Sequence, residues 1–331
     1  MRKRNLRLAS LFITILITLI LTACIKSQPT PPAETLYPVE SQSSPELSTN
    51  EISEIEQTYP APEAQAAAQE EPLPVQEALE PLAPEAQVMT FQATDGQTLS
   101  GTFYPAAQPH APMIVLMHWA PGNQYNYLAI APWLQNRGLT PEPDPNGVAW
   151  LDPTWFPSIP EGTSYNVFTF TFRGCENGCQ SFDQATRQNW LLDAEAALEF
   201  ASQQYGVDPQ QIIAAGASIG ANGAAAACFT YNTQHTSGCL GAFSLSPAGN
   251  LTIPYPEEVN NLGSSDPAAP AWCLYAEDDS AAASACTSAS GDHYQSFAYT
   301  NGFHGMQLIQ QDLDPNPLVL LIDFLAQQLN Q

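Results

Sequence analysis

Apolar residues are spaced along the chain in three different ways. Ala9 to Thr22 is a nearly unbroken apolar run of about 14 residues, shorter than the roughly 20 needed to span a bilayer. Residues 25 to about 87 carry few large apolar side chains and are rich in Pro, Glu, Gln, Ser and Ala. Beyond residue 88, short apolar runs alternate with stretches whose apolar residues recur at helical spacing. Gln87–Gln92 and Leu99–Tyr104 alternate with period two and predict strands, with Asp95-Gly96 as the hairpin turn between them. Met113–Met117 is wholly apolar, as in a strand buried on both faces. Asn166–Phe172, Gln211–Ala215, Ala242–Leu245, Ala271–Tyr275 and Tyr294–Tyr299 predict further strands, and Asp208-Pro209 reads as the turn before the second of these. Helices are predicted over Tyr127–Gln135, ending near Gly138 as C-cap, over Gln184–Gln203, over Ala221–Cys228 and over Pro317–Leu329. Strands alternating with helices imply an α/β domain with a mostly parallel sheet covered on both faces. Residues 88–331 suffice for one such domain.

The first run follows a basic segment, Arg2, Lys3, Arg4 and Arg7, which is the layout of a secretory signal. It closes on Leu21-Thr22-Ala23-Cys24, which resembles the bacterial lipoprotein signal. The resemblance implies that residues 1–23 are removed, that Cys24 is lipidated, and that the rest is held at the membrane outside the cytoplasm. An uncleaved membrane anchor is the competing reading. Residues 24–87 cannot bury enough apolar surface to offset their ordering entropy, and read as a disordered, acidic, Pro-rich tether.

The formal charge of −25 leaves only Arg137, Arg173 and Arg187 as basic residues beyond residue 88. That balance argues against nucleic acid and anionic polymers as partners. It identifies no substrate and says nothing of oligomeric state. Besides Cys24 the cysteines fall into near pairs, Cys175 with Cys179, Cys228 with Cys239 and Cys273 with Cys286. In an oxidising compartment these predict three local disulfides. A metal site is the alternative, but the spacings are not the C-x-x-C pairs of zinc sites, so no metal is expected.

The chemistry centres on Gly216-Ala217-Ser218-Ile219-Gly220, a serine between glycines at a predicted strand-to-helix junction. A tight turn there leaves no room for a Cβ beside the serine and lifts its hydroxyl above the sheet. His118-Trp119-Ala120-Pro121-Gly122 follows the Met113–Met117 strand, and Phe172-Arg173-Gly174 the next. Tyr275-Ala276-Glu277-Asp278-Asp279 follows a later strand, and Gly302-Phe303-His304-Gly305-Met306 precedes the last helix. In this order the segments resemble the α/β-hydrolase family over residues 88–331, with the closest likeness to compact dienelactone-hydrolase-like esterases.

The resemblance implies a serine hydrolase of carboxylic esters, lipid-anchored and outside the cytoplasm, acting on a small or polymer-borne ester without a cofactor. Ser218 would be the nucleophile, His304 the base, and Asp279 the acid, with Asp278 as the alternative. The oxyanion would be held by the N–H of Ile219 and that of Ala120, or alternatively Trp119, which stands where the family usually has glycine. His118 and Arg173 are expected to be structural, and His235 and His293 to lie on the surface or in packing. The Thr140–Ser164 segment, with Trp150, Trp155 and Phe156, could cover the mouth of the site or simply pack on the sheet edge. Pro247–Pro270 leaves little room for a helical cap, which favours an open site. A peptidase of the same fold and a non-catalytic ligand-binding protein are the competing functions.

Overall fold

The computed structural model describes residues 79–140, 151–248, 251–300 and 302–329. The expected signal segment, the Cys24 lipidation site, the tether up to residue 78, and Trp150 lie outside them. The elements in chain order are β1 (Gln87–Gln92), β2 (Thr98–Tyr104), β3 (Ala111–Met117), α1 (Ile130–Gln135), β4 (Asn166–Phe170), α2 (Gln184–Ser202) and β5 (Val207–Ala217). They continue with α3 (Ile219–His235), β6 (Cys239–Leu245), α4 (Tyr255–Gly263), β7 (Ala271–Ala276), α5 (Ser280–Ser288), β8 (Tyr294–Tyr299) and α6 (Pro317–Gln328).

The strands form one 8-stranded sheet in the order β1-β2-β4-β3-β5-β6-β7-β8. β1 and β2 pair antiparallel, as do β2 and β4. All later pairs are parallel, from β3 with β4 to β7 with β8. Side chains of β3 alternate between two cores. Met113, Val115 and Met117 meet Phe170, Phe172 and Trp190 on one face, while Ile114 and Leu116 meet Ile130, Leu134 and Ile309 on the other. Burial on both faces is why this strand is apolar throughout. The result is the α/β-hydrolase fold.

Several boundaries differ from the sequence reading for local reasons. Asp208-Pro209 lies inside β5 rather than in a turn before it, and the Asp208 carboxylate accepts from the Gln210 N–H at 2.9 Å. β4 stops at Phe170 and does not reach Phe172: the Thr171 N–H still donates to the Ser100 carbonyl of β2, but the Phe172 N–H donates to His118 Nε2 instead of a neighbouring strand. The predicted Tyr127–Gln135 helix is a 3-10 turn at Gln124–Tyr127 followed by α1. Asn136, with φ +51°, caps α1 two residues before Gly138, the expected cap. Asn and Gly are the residues that enter this left-handed region most readily.

Two helices were not expected from the sequence. α4 lies within the Pro247–Pro270 stretch, and its Tyr255, Val259 and Leu262 belong to the main core, so it packs as a core helix. α5 follows the acidic cluster after β7. The described part of the aromatic segment packs against α1. Phe156 contacts Trp133 at 5.4 Å, and the Trp133 Nε1–H donates to the Pro157 carbonyl. The end of the stretch read as tether also touches the domain, where the Leu82 and Pro84 carbonyls accept from Arg137 and Gln135.

All three expected cysteine pairs are bonded: Cys175–Cys179, Cys228–Cys239 and Cys273–Cys286. The second ties α3 to β6 and the third ties β7 to α5.

Candidate active site

The site forms at the C-terminal ends of β3, β5 and β7 and before α6. β5 turns sharply into α3 at Ser218, which has φ +53° and ψ −113°. A non-glycine residue in so unfavourable a conformation is held there by its surroundings. The flanking glycines are required by close backbone approach. A Cβ on Gly216 would lie 2.2 Å from the Gly220 carbonyl oxygen, and one on Gly220 would lie 2.1 Å from that of Met117. The second contact also sets the end of β3 directly against the elbow. Ser218 N–H donates to the Leu245 carbonyl at 2.8 Å, which ties the turn to β6.

His304 lies on the loop before α6, and its Nε2 is 2.9 Å from Ser218 Oγ. Its Nδ1 is 2.5 Å from Asp279 Oδ2. The main chain of His304 is held from both sides by Gln307, whose side chain accepts from the His304 N–H at 3.2 Å and whose N–H donates to the His304 carbonyl. Asp279 is the N-cap of α5, with Oδ1 accepting from the Ala282 N–H at 3.3 Å. One carboxylate oxygen therefore caps a helix while the other meets the imidazole. Asp278 and Glu277 are exposed. The structure thus brings Ser218, His304 and Asp279 together and leaves Asp278 outside.

Ile219 opens α3, so its N–H has no acceptor within the helix. Facing it is the loop after β3, where Gly122 N–H donates to the Trp119 carbonyl at 3.1 Å. The Trp119 ring packs on the His304 loop, since a Cβ on Gly305 would lie 3.0 Å from Trp119 Cε3. Its indole nitrogen is buried with no hydrogen-bond partner among the described residues. The bulky side chain therefore forms a wall beside the His304 loop.

His118 is fully buried between two backbone groups. Its Nδ1 lies 2.7 Å from the Trp119 carbonyl and its Nε2 accepts from the Phe172 N–H at 3.0 Å. Those partners require the neutral ring with the proton on Nδ1. Burial pushes its pKa down to about 4. Arg173 pairs with Asp95 in the β1–β2 hairpin and with Asp193 in α2. Both residues are structural, as expected. His235 and His293 are exposed, and His235 meets Glu199.

Sequence reasoning passed over Gln307, and also Asn222 and Glu258 beneath the elbow. Asn222, one turn into α3, donates to Glu258 Oε2 at 2.9 Å and accepts from the Ala248 N–H. Among the described residues no three His, Cys, Asp or Glu side chains gather as metal ligands.

No protein-family model matches the chain. The Salmonella typhi protein YfhR, itself described as uncharacterised, is 24% identical over 177 residues, covering 52% of this chain and 49% of that protein. The chain thus spans about half the length of this relative and of its Salmonella typhimurium counterpart. Among solved structures, an esterase of Pyrobaculum calidifontis aligns over 73% of this chain and 85% of its own, with TM-score 0.51 and 17% identity. An esterase of Pyrococcus furiosus aligns over 74% and 91%, with TM-score 0.50 and 12% identity. An α/β hydrolase from a Penicillium species aligns over 75% and 100%, also with TM-score 0.50 and 12% identity. At these identities the likeness establishes the fold.

Proposed function

We propose that the protein is a serine hydrolase of carboxylic esters, working through Ser218, His304 and Asp279 by way of an acyl-enzyme. The hydrogen-bond chain from hydroxyl to imidazole to carboxylate, at 2.9 and 2.5 Å, carries this reading. A serine hydroxyl is a poor nucleophile until a base removes its proton. In the proposed reaction His304 Nε2 takes that proton as Oγ attacks the ester carbonyl. Asp279 holds the proton on Nδ1 and stabilises the imidazolium. The N–H of Ile219 and that of Ala120 or Trp119 receive the developing oxyanion. The imidazolium then protonates the leaving alcohol, and water activated by the same ring releases the acid. Two of the proteins with a similar fold are esterases, which agrees with this reading.

The reading extends to the ends of the chain. Cys24 would carry lipid and hold the domain at the outer side of a bacterial membrane. Leu21-Thr22-Ala23-Cys24 after a basic and apolar lead supports this, as do three disulfides, which need an oxidising compartment.

A p-nitrophenyl ester series on the purified protein tests the activity. Hydrolysis should be strongest with short acyl chains and fall at least about 10³-fold in Ser218→Ala. Hydrolysis that survives in Ser218→Ala would remove the serine from the mechanism.

A further inference from the structure

The Cys175–Cys179 disulfide closes a small ring, Cys175-Glu176-Asn177-Gly178-Cys179, that lies directly on the loop after β3. Two hydrogen bonds join them. The Cys179 N–H donates to the Ala120 carbonyl at 2.7 Å, and Asn123 Nδ2–H donates to the Glu176 carbonyl at 2.7 Å. Contact is close enough that a Cβ on Gly178, which has φ +78°, would lie 2.9 Å from the Pro121 carbonyl oxygen. The ring is folded back on itself by Cys175 N–H to the Phe172 carbonyl and Gly178 N–H to the Cys175 carbonyl, both 3.1 Å.

We infer that this disulfide ring positions the oxyanion loop, so that ester hydrolysis depends on its being oxidised. Both candidate donors, the N–H groups of Trp119 and Ala120, sit immediately before the Ala120 carbonyl. Pro121, which follows, has no N–H with which to anchor the segment. The Cys179 N–H is therefore an outside tie on the stretch whose orientation decides where those donors point. Donors of this kind act only when already aimed at the oxyanion. Without the covalent link, the Asn177-Gly178 turn regains freedom and the tie weakens. So short a ring constrains the unfolded chain only modestly, so its loss should affect activity before stability.

The ring is also the disulfide a thiol can reach. Cys175, Cys228, Cys239, Cys273 and Cys286 are all buried, whereas Cys179 is partly exposed. A dithiol reductant would attack Cys179 Sγ as thiolate and release Cys175 as thiolate. Its second thiol then displaces Cys179, so the reductant leaves as a cyclic disulfide and both cysteines as thiols.

The inference rests on the ester-hydrolase reading for its activity measurement, but not for its structural one. The folded protein is treated briefly with dithiothreitol and alkylated, and mass mapping selects samples modified at Cys175 and Cys179 alone. In these kcat should fall about 10- to 100-fold, with KM within about twofold and the pH profile of kcat/KM unmoved. Hydrogen–deuterium exchange should rise over residues 118–123 and stay unchanged around Ser218. Cys175→Ser/Cys179→Ser should behave alike. Asn123→Asp, which keeps the acceptor for Tyr125 N–H but loses the donor to Glu176, should lower kcat in the same direction. Unchanged kcat and unchanged exchange after selective reduction would overturn the inference while leaving the hydrolase reading intact. An oxidised protein that hydrolyses no ester would sink the hydrolase reading, and the exchange measurement would still decide whether the ring holds the loop.

Discussion

Ser218, Asp279 and His118 each owe their place to backbone groups around them. The carboxylate that meets His304 is Asp279 because Asp279 starts α5, and an N-cap side chain must turn back toward its helix. Asp279→Asn should lower kcat about 10³- to 10⁴-fold by favouring the wrong imidazole tautomer, while Asp278→Asn should leave ester hydrolysis within about twofold. Equal losses in both would mean that the acidic cluster acts collectively. The Asp-Ser-Ala-Ala-Ala run from 279 to 283 already carries an N-cap signature ahead of a good helix former, and it separates the two aspartates more cleanly than likeness to a family does. His118 makes a different prediction. It stays neutral in the native state down to about 4, whereas an unfolded histidine takes up its proton near 6.5. Between those values the unfolded chain binds the extra proton, so His118 makes stability fall as pH drops through that window, by about 3 kcal/mol in all. In His118→Gln that part of the acid sensitivity should be absent from urea melts at pH 4.5, 5.5 and 6.5.

At the level of helices and strands, alternating and continuous apolar runs located the core strands of the sheet, since those patterns follow directly from which faces are buried. What stayed hidden depended on tertiary partners. Two residues past the end of β4 a histidine captures the Phe172 N–H, and no local pattern announces that. α4 is rich in polar residues and opens with Pro254-Tyr255-Pro256, so its apolar stripe of Tyr255, Val259 and Leu262 was easily taken for loop. It brings a carboxyl group into the core. Glu258 is buried, its Oε1 has no partner among the described residues, and burial holds its pKa well above the usual carboxylate range. An unfolded chain releases that proton once pH passes the ordinary carboxylate value, so the group lowers stability as pH rises from there. Glu258→Gln keeps the acceptor for Asn222 and removes the proton. Its melting temperature should therefore exceed that of the natural protein by more at pH 8 than at pH 5. The opposite ordering would mean that Glu258 is ionised in place.

Across the whole molecule, the meeting of Ser218, Asp279 and His304 was legible in the sequence because each follows an apolar strand or precedes the final helix in a fixed order. Ser218, Asp279 and His304 are far apart in sequence, and the parallel order β5-β6-β7-β8 sets the strand ends that precede them along one edge of the sheet. The sequence did not separate Trp119 from Ala120 as the second candidate donor, because they share one loop that leans on its own residues, on the Cys175–Cys179 ring and on Gly305 alike. Substrate choice belongs to surfaces that likeness of fold does not specify. Fluorophosphonate labelling of the purified, disulfide-intact protein, followed by peptide mapping, bears most directly on the proposed function. A single adduct on Ser218 that disappears in Ser218→Ala is the expected result. A folded protein that stays unlabelled, or an adduct on another residue, would contradict a nucleophile activated by His304 and Asp279.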